Sequence, residues 1–284
     1  MLRQEYHKRI VQYYQESENA YKDAWDLENS LAIHYGYHDQ KVKNFAQSLQ
    51  RMNEVMMDAV QVSASDHVLD AGCGVGGSAV FLARQTGCRV TGISLSERQV
   101  ALACVNAEKN GVRDHTRFHV MNYSETTFPD ASFDVVWGCE SICYAEDKNR
   151  FVREAFRLLK PGGRLVVADG FVTAFPYNDH PVIRRWLDGW QVNFLETAER
   201  FTGFMRDTGL VEITHRDISR EVKASSRRLR RFYWLASLYL GWKKINFSAP
   251  ATEMQKKNIA ACKYQYLGLK KGLWQYGLVS GKKP

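Results

Sequence analysis

Apolar positions between residues 45 and 60 recur at spacings of mostly three and four: Phe45, Leu49, Met52, Val55, Met56, Ala59 and Val60. That spacing predicts a helix with a single apolar face. Between residues 66 and 170 the period changes, and short β-branched runs alternate with helical stretches. Strands are predicted at His67–Ala71, Arg89–Ile93, Thr116–Val120, Phe133–Cys139 and Arg164–Asp169. Helices are predicted between them at Gly77–Gln85, Glu97–Asn110 and Lys148–Leu159, with a turn at Pro161-Gly162-Gly163 ahead of the fifth strand. This β-α-β-α rhythm implies an α/β fold, and right-handed crossovers make it a doubly wound, mostly parallel sheet. Beyond residue 170, Gly209–Ile218 and Tyr276–Ser280 read as two more strands around a long helical insert, which brings the sheet to seven.

The same changes of pattern divide the chain. Residues 1–62 form a polar, aromatic helical lid, residues 63–170 an α/β core, and residues 171–284 a substrate cap with the terminal strands of the same domain. The last block is rich in aromatics: Trp186, Trp190, Phe194, Phe201, Phe204, Phe232, Tyr233, Trp234, Tyr239 and Trp242 are expected to form the core of a helical cap.

Composition narrows the class. With 45% hydrophobic and 25% charged residues over 284 positions, the chain is ordinary globular protein and neither disordered nor fibrous. No apolar run approaches the roughly 18 residues that span a bilayer, so no stable membrane insertion is expected. The first residues lack the apolar core of a signal peptide, and the six cysteines show no disulfide framework, which points to reduced thiols in the cytoplasm. The net charge of +8 is concentrated at Arg227, Arg228, Arg230 and Arg231 and from Lys256 to Lys283. Such a patch suits an acidic ligand or membrane headgroups as well as RNA, and also suits plain solvated surface. Neither an appended recognition domain nor a basic sheet face is evident, so no nucleic-acid partner is expected. A homo-oligomer stays open.

The sharpest local signal is Val68-Leu69-Asp70-Ala71-Gly72-Cys73-Gly74-Val75-Gly76-Gly77, a strand that breaks into glycines and then a helix. An α/β sheet binds nucleotides at such a point. Glycine lets the backbone turn tightly and pass close to a ligand. A P-loop needs Gly-Lys followed by Ser or Thr, and no lysine is present, so ATP or GTP is not expected. Asp70 sits where a dinucleotide's pyrophosphate would need the helix N-terminus, which fits a cationic ligand better than a phosphate.

These residues carry a resemblance. The stretch VLDAGCGVGG…VTGISLSERQV…FPDASFDVVWGCESICY…FVREAFRLLKPGGRLVVAD, about Asp66–Asp169, resembles the class I S-adenosylmethionine-dependent methyltransferases. The resemblance implies the Rossmann-like methyltransferase fold, with S-adenosyl-L-methionine as cofactor and S-adenosyl-L-homocysteine as product. It places Asp70, Gly72 and Gly74 at the methionine portion. Ser94 stands where the family usually has a ribose-binding acid, with Gln99 one turn on to share the role. Asn122 and Tyr123 map near the adenine, and Cys139 and Glu140 reach the same crevice.

The segment Trp25 to Tyr37 (WDLENSLAIHYGY) is similar to the stretch preceding the core of sterol and tocopherol C-methyltransferases and of cyclopropane-synthase relatives. There an H-x-G-aromatic segment closes over the cofactor, which implies that Tyr35 and Tyr37 wall the transferred methyl and that Gly36 supplies flexibility. Glu140-Ser141-Ile142-Cys143-Tyr144 occupies the region of the sterol-type Glu-Ala-x-x-His, with Tyr144 in place of the histidine. The expected activity is methylation of a lipophilic small molecule of secondary metabolism, foremost C-methylation of an isoprenoid-like compound. The alternative is O- or N-methylation of an aromatic or amine product. For a carbon acceptor the base candidates are Glu140, then His34, then the tyrosines Tyr35 and Tyr37. His180 reads as surface loop. No metal site is expected, and Mg2+ enters only with a diphosphate-bearing substrate.

Overall fold

The computed structural model describes residues 2–25, 30–245 and 252–284; Asp26–Asn29 of the aromatic N-terminal segment lie outside the described residues. Alternation along each strand decides the layers. Val68, Val135 and Val166 join one apolar cluster with Leu49 and Met52, while their neighbours Leu69, Val136 and Val167 join a second cluster with Phe151, Ala155, Phe201 and Met205. Successive side chains point to opposite faces of a strand, so strands apolar at every position need cover on both sides.

The strands are β1 (His67–Ala71), β2 (Arg89–Ser94), β3 (Thr116–Val120), β4 (Phe133–Cys139), β5 (Leu159–Val172), β6 (Val211–Asp217) and β7 (Trp274–Lys282). They form one sheet in the order β3-β2-β1-β4-β5-β7-β6. The first five are parallel to one another, and β7 runs antiparallel between β5 and β6. Helices α1 (Leu2–Trp25) and α2 (Phe45–Val60) precede the sheet. α3 (Gly77–Thr86), α4 (Glu97–Lys109) and α5 (Lys148–Leu158) are the crossovers. α6 (Pro181–Gly189) and α7 (Ala198–Thr208) follow β5, and α8 (Ser219–Ile245) and α9 (Glu253–Lys270) separate β6 from β7. Side chains set the helix starts: Asn44, Ser96 and Asp147 each accept the backbone N–H three residues on. This is the doubly wound, seven-stranded arrangement expected from the sequence.

Two expectations are corrected. Pro161-Gly162-Gly163 is not a turn ahead of the fifth strand but lies inside β5, which begins at Leu159. Gly162 takes φ +77 and donates its N–H to Lys283 O, while the register against β4 slips between Phe133 and Val135. The segment is a bulge, held by the end of β7. The cap aromatics also divide: Trp186 and Phe201 are buried, but Trp234 and Tyr239 are exposed, and the side chain of Trp242 lies outside the described residues.

β1 and β4 are neighbours from which the chain winds outward in opposite directions. The crevice beyond their carboxyl ends is the topological switch point, where such sheets bind ligands.

Candidate active site

β1 ends in Asp70 and Ala71, and the chain then turns through Gly72, Gly74 and Gly76 at φ +95, +51 and +88. These are left-handed conformations that glycine adopts without a Cβ penalty. The N–H groups of Gly72 and Cys73 both donate to Ile93 O, which ties the loop to β2. A Cβ on Gly74 would meet nothing within 4 Å, so open space lies over the loop there.

That space belongs to a cavity of about 900 Å³, counting its open mouth. Asp70, Gly72, Gly74, Ser94, Gln99, Tyr123, Cys139, Glu140 and His34 line it, together with Ile10, Val11 and Tyr14 of α1. The Oδ2 atom of Asp70 is buried with no hydrogen-bond partner. Burial pushes this carboxyl up to about 7, opposed by the backbone N–H of Ala79. An unsatisfied buried carboxylate is costly, and a cation beside it relieves the cost. Opposite, Ser94 Oγ donates to Gln99 Oε1 at 2.8 Å, so the two residues proposed to share one task form a pair. Tyr123 donates its hydroxyl to Ser141 O at 2.8 Å, and burial raises the Cys139 thiol well above its usual range.

A second cavity, about 630 Å³, adjoins the first. Trp186, Trp190, Trp274, Tyr35 and Tyr276 line it with Leu187, Val192 and Leu195, and its charged members are two carboxylates, Glu140 and Asp169. Trp186 packs on Trp274 with centroids 4.5 Å apart and on Trp190 at 5.7 Å. The indole Nε1 of Trp186 is buried without a hydrogen-bond partner. Burial pushes Asp169 up to about 6, against backbone donation from Cys143 and Gly170.

Tyr14, Ile33, Glu140 and Tyr144 line both cavities and so form the wall between them. Glu140 is held firmly there. It takes φ +49, rare for a non-glycine residue, with its N–H on Ala168 O at 2.9 Å. Oε1 accepts the Tyr35 N–H and the Tyr276 hydroxyl. Burial pushes the carboxyl up to about 8, although both donors favour the ionised form. His34, also buried, has Nδ1 2.9 Å from Tyr35 O. A carbonyl only accepts, so Nδ1 carries the proton and Nε2 keeps its lone pair. Burial lowers the pKa of this imidazole and keeps it neutral.

The structure thus gathers nine of the predicted residues around one cavity and Tyr35 on its neighbour. Others fall elsewhere. Asn122 lies outside the wall of the main cavity; it faces an adjacent cleft and accepts the Ser124 N–H, because the chain doubles back there against Glu125. Tyr37 lines neither cavity and is core, its N–H on Ser48 O. Gly36 is not a flexible joint: it donates to Ser225 Oγ at 3.0 Å, and a Cβ would collide with Ser48. His180 caps α6 by accepting the Val182 N–H. Sequence reasoning missed Tyr14, Asp169, Trp274 and Tyr276. Asp169 had a signal, since it follows a run of apolar strand residues as Asp70 does; the other three had none, being brought in from both chain ends.

Comparison with known proteins agrees with this layout. Residues 69–167 match a methyltransferase domain family. The chain is 32% identical over 208 residues to 27-O-demethylrifamycin SV methyltransferase of Amycolatopsis mediterranei, covering 73% of this chain and 76% of that protein. It is 37% identical over 212 residues to 2-methyl-6-phytyl-1,4-hydroquinone methyltransferase of Synechocystis sp., covering 68% and 65% respectively. Among solved structures it superposes with TM-score 0.74 on geranyl diphosphate C-methyltransferase from Streptomyces coelicolor A3(2), solved with Mg2+, geranyl diphosphate and S-adenosyl-L-homocysteine. There the identity is 23%, with 98% of each chain covered.

Proposed function

We infer that this chain, which belongs to the S-adenosylmethionine-dependent methyltransferases, methylates a carbon of a lipophilic, isoprenoid-like small molecule held in the aromatic chamber. The observation that carries this is the place of Glu140, a pinned carboxylate in the wall between a cofactor-sized cavity and an apolar one. The orphaned Asp70 oxygen and the free space over Gly74 fit S-adenosyl-L-methionine. When bound, that cofactor supplies an electrophilic methyl on a positively charged sulfonium.

We assign Asp70, Gly72 and Gly74 to the methionine portion, Ser94 and Gln99 to the ribose hydroxyls and Tyr123 to the adenine side, with Cys139 in the same crevice. Within residues 1–62 helix α1 serves as the lid, residues 63–170 hold the cofactor, and residues 171–284 contribute Trp186, Trp190, Trp274 and Tyr276 to the acceptor chamber. The six cysteines are free thiols, which suits a cytosolic enzyme.

An alkene or aromatic carbon that gains a methyl becomes cationic and must lose a proton. Trp186, Trp190, Trp274 and Tyr35 offer ring faces to such a cation. Glu140 is the group positioned to accept the proton, with neutral His34 next in order. At about 8 this carboxyl is largely protonated at neutral pH. A cation beside it lowers that value and turns it into a base when one is required. The indole N–H of Trp186 is a buried donor at the chamber wall that one polar atom of a ligand would satisfy. Among the described residues the chamber wall carries carboxylates and neither lysine nor arginine to pair directly with a diphosphate, and no step is assigned to Mg2+.

A second possibility, N- or O-methylation, draws on the same box, since aromatic faces with two carboxylates also suit an ammonium group. The test is incubation with radiolabelled S-adenosylmethionine and a panel of prenyl alcohols, sterols, quinols, phenols and amines. NMR then locates the new methyl: on carbon it supports the main proposal, on nitrogen or oxygen it replaces it.

A further inference from the structure

α8 carries eight basic residues against one acidic, Glu221, and the active site uses none of them. The arginine cluster is split by the fold. Arg228 and Arg230 turn inward and stack on Phe45 and Tyr266, at 4.2 and 4.5 Å from the ring centroids. Arg227 and Arg231 are exposed. They continue directly into an apolar stripe: Trp234, Leu235 and Leu238 are 55%, 67% and 71% exposed. At 100° per residue these five side chains lie within a sector roughly 100° wide. Exposed leucines and a tryptophan in register on a helix call for an explanation that single surface apolar residues do not.

We infer that this stripe is a docking face for a membrane surface rich in anionic lipid. Leucines would enter the acyl boundary, the indole would sit at the interface, and the arginines would meet the headgroup phosphates. Association is peripheral: among the described residues no helix is long and apolar enough to cross a membrane. Charge complementarity favours this occupant over a second copy of the chain, because two such helices would bring like charges together. The opposite, buried side of the same helix is linked to the acceptor chamber. Ser226 near the root of α8 donates to Gln265 Oε1 at 2.6 Å, and the same atom accepts the Tyr35 hydroxyl at 2.8 Å. The face itself does not depend on which acceptor is methylated.

The experiment is flotation of the full chain with phosphatidylcholine vesicles, with and without phosphatidylglycerol, at low and high salt. Wild type should float with the anionic vesicles and be released by salt. Arg227→Glu/Arg231→Glu and Leu235→Glu/Leu238→Glu should each weaken binding roughly tenfold or more. Affinity for S-adenosylhomocysteine is the folding control, and Trp234→Ser supplies the same comparison where a double variant fails that control. Wild type that stays in the lipid-free fraction, or double variants that bind like wild type, would overturn the inference. So would a dimer by size exclusion that the leucine variant dissociates, since the face would then be a self-interface.

Discussion

The hydroxyl of Tyr276 donates a 2.7 Å hydrogen bond to Oε1 of Glu140, joining the last strand to the end of β4 across 136 positions. The same oxygen accepts the Tyr35 N–H, so one atom ties the N-terminal segment, the core and the terminal strand together. A carboxylate held by three parts of the chain keeps its aim as long as all three are folded.

Glu140→Gln should therefore lower turnover by roughly 10²–10⁴ while leaving cofactor affinity within a few-fold. Tyr276→Phe removes one donor to the carboxylate and raises its pKa. Proton removal needs the ionised form, so the acid limb of the kcat profile should move to higher pH. Rates measured across pH decide this, and an unmoved limb in Tyr276→Phe would pass the role to His34.

Asp70 predicts a pH-dependent affinity. A cation binds the ionised carboxylate, and burial holds this one near 7, so S-adenosylmethionine should bind more tightly as pH rises through about 7. Asp70→Asn should flatten that dependence and weaken binding at least about tenfold, as expected for losing a charged hydrogen-bond partner. Calorimetry on both proteins below and above neutrality is the check.

Stability should move the other way. The folded pKa of Asp70 lies above its unfolded value near 3.9, so its contribution is full below that value and is lost as pH rises through about 7. Asp70→Asn never charges. In thermal melts without ligand it should gain on wild type as pH increases, and a pH-independent difference would contradict the burial of that charge.

The lid is expected to be α1 rather than the whole N-terminal block. Ile10, Val11 and Tyr14 line the cofactor cavity from this helix. Residues 32–37 are already docked through Gly36 on Ser225 and Tyr37 on Ser48. Adding S-adenosylhomocysteine should slow amide exchange in α1 and change it little at 32–37. Equal protection of α1 with and without ligand would make it a fixed wall.

Trp186 is buried against Trp274 and Trp190. Trp186→Ala should cost roughly 3–5 kcal/mol in denaturant unfolding, because the cavity it leaves adds to the lost transfer energy. A loss under about 1 kcal/mol would mean that the aromatic chamber collapses to fill the space.

Local pattern was enough for the sheet and the cofactor loop. The bounds of β1, β3 and β4 were legible outright, because strand periodicity and glycine punctuation are written into consecutive residues, and Asp70 stands directly ahead of its glycines. β5 was misjudged at Pro161–Gly163 because only the partner β7, more than 100 positions away, makes that stretch a bulge instead of a turn. The Ser94–Gln99 pair was readable, since one helical turn separates its members. The acceptor chamber was not. Tyr14, Tyr35, Glu140, Asp169, Trp186 and Tyr276 come from α1, the following segment, the exits of β4 and β5, a cap helix and the final strand. No spacing in the sequence relates them, and it is burial that selects which aromatics line a cavity, which become core, as Tyr37 does, and which face solvent, as Trp234 does. A sequence encodes each strand's two faces directly, whereas the meeting of distant faces is settled only when the apolar surfaces of the folded chain find one another.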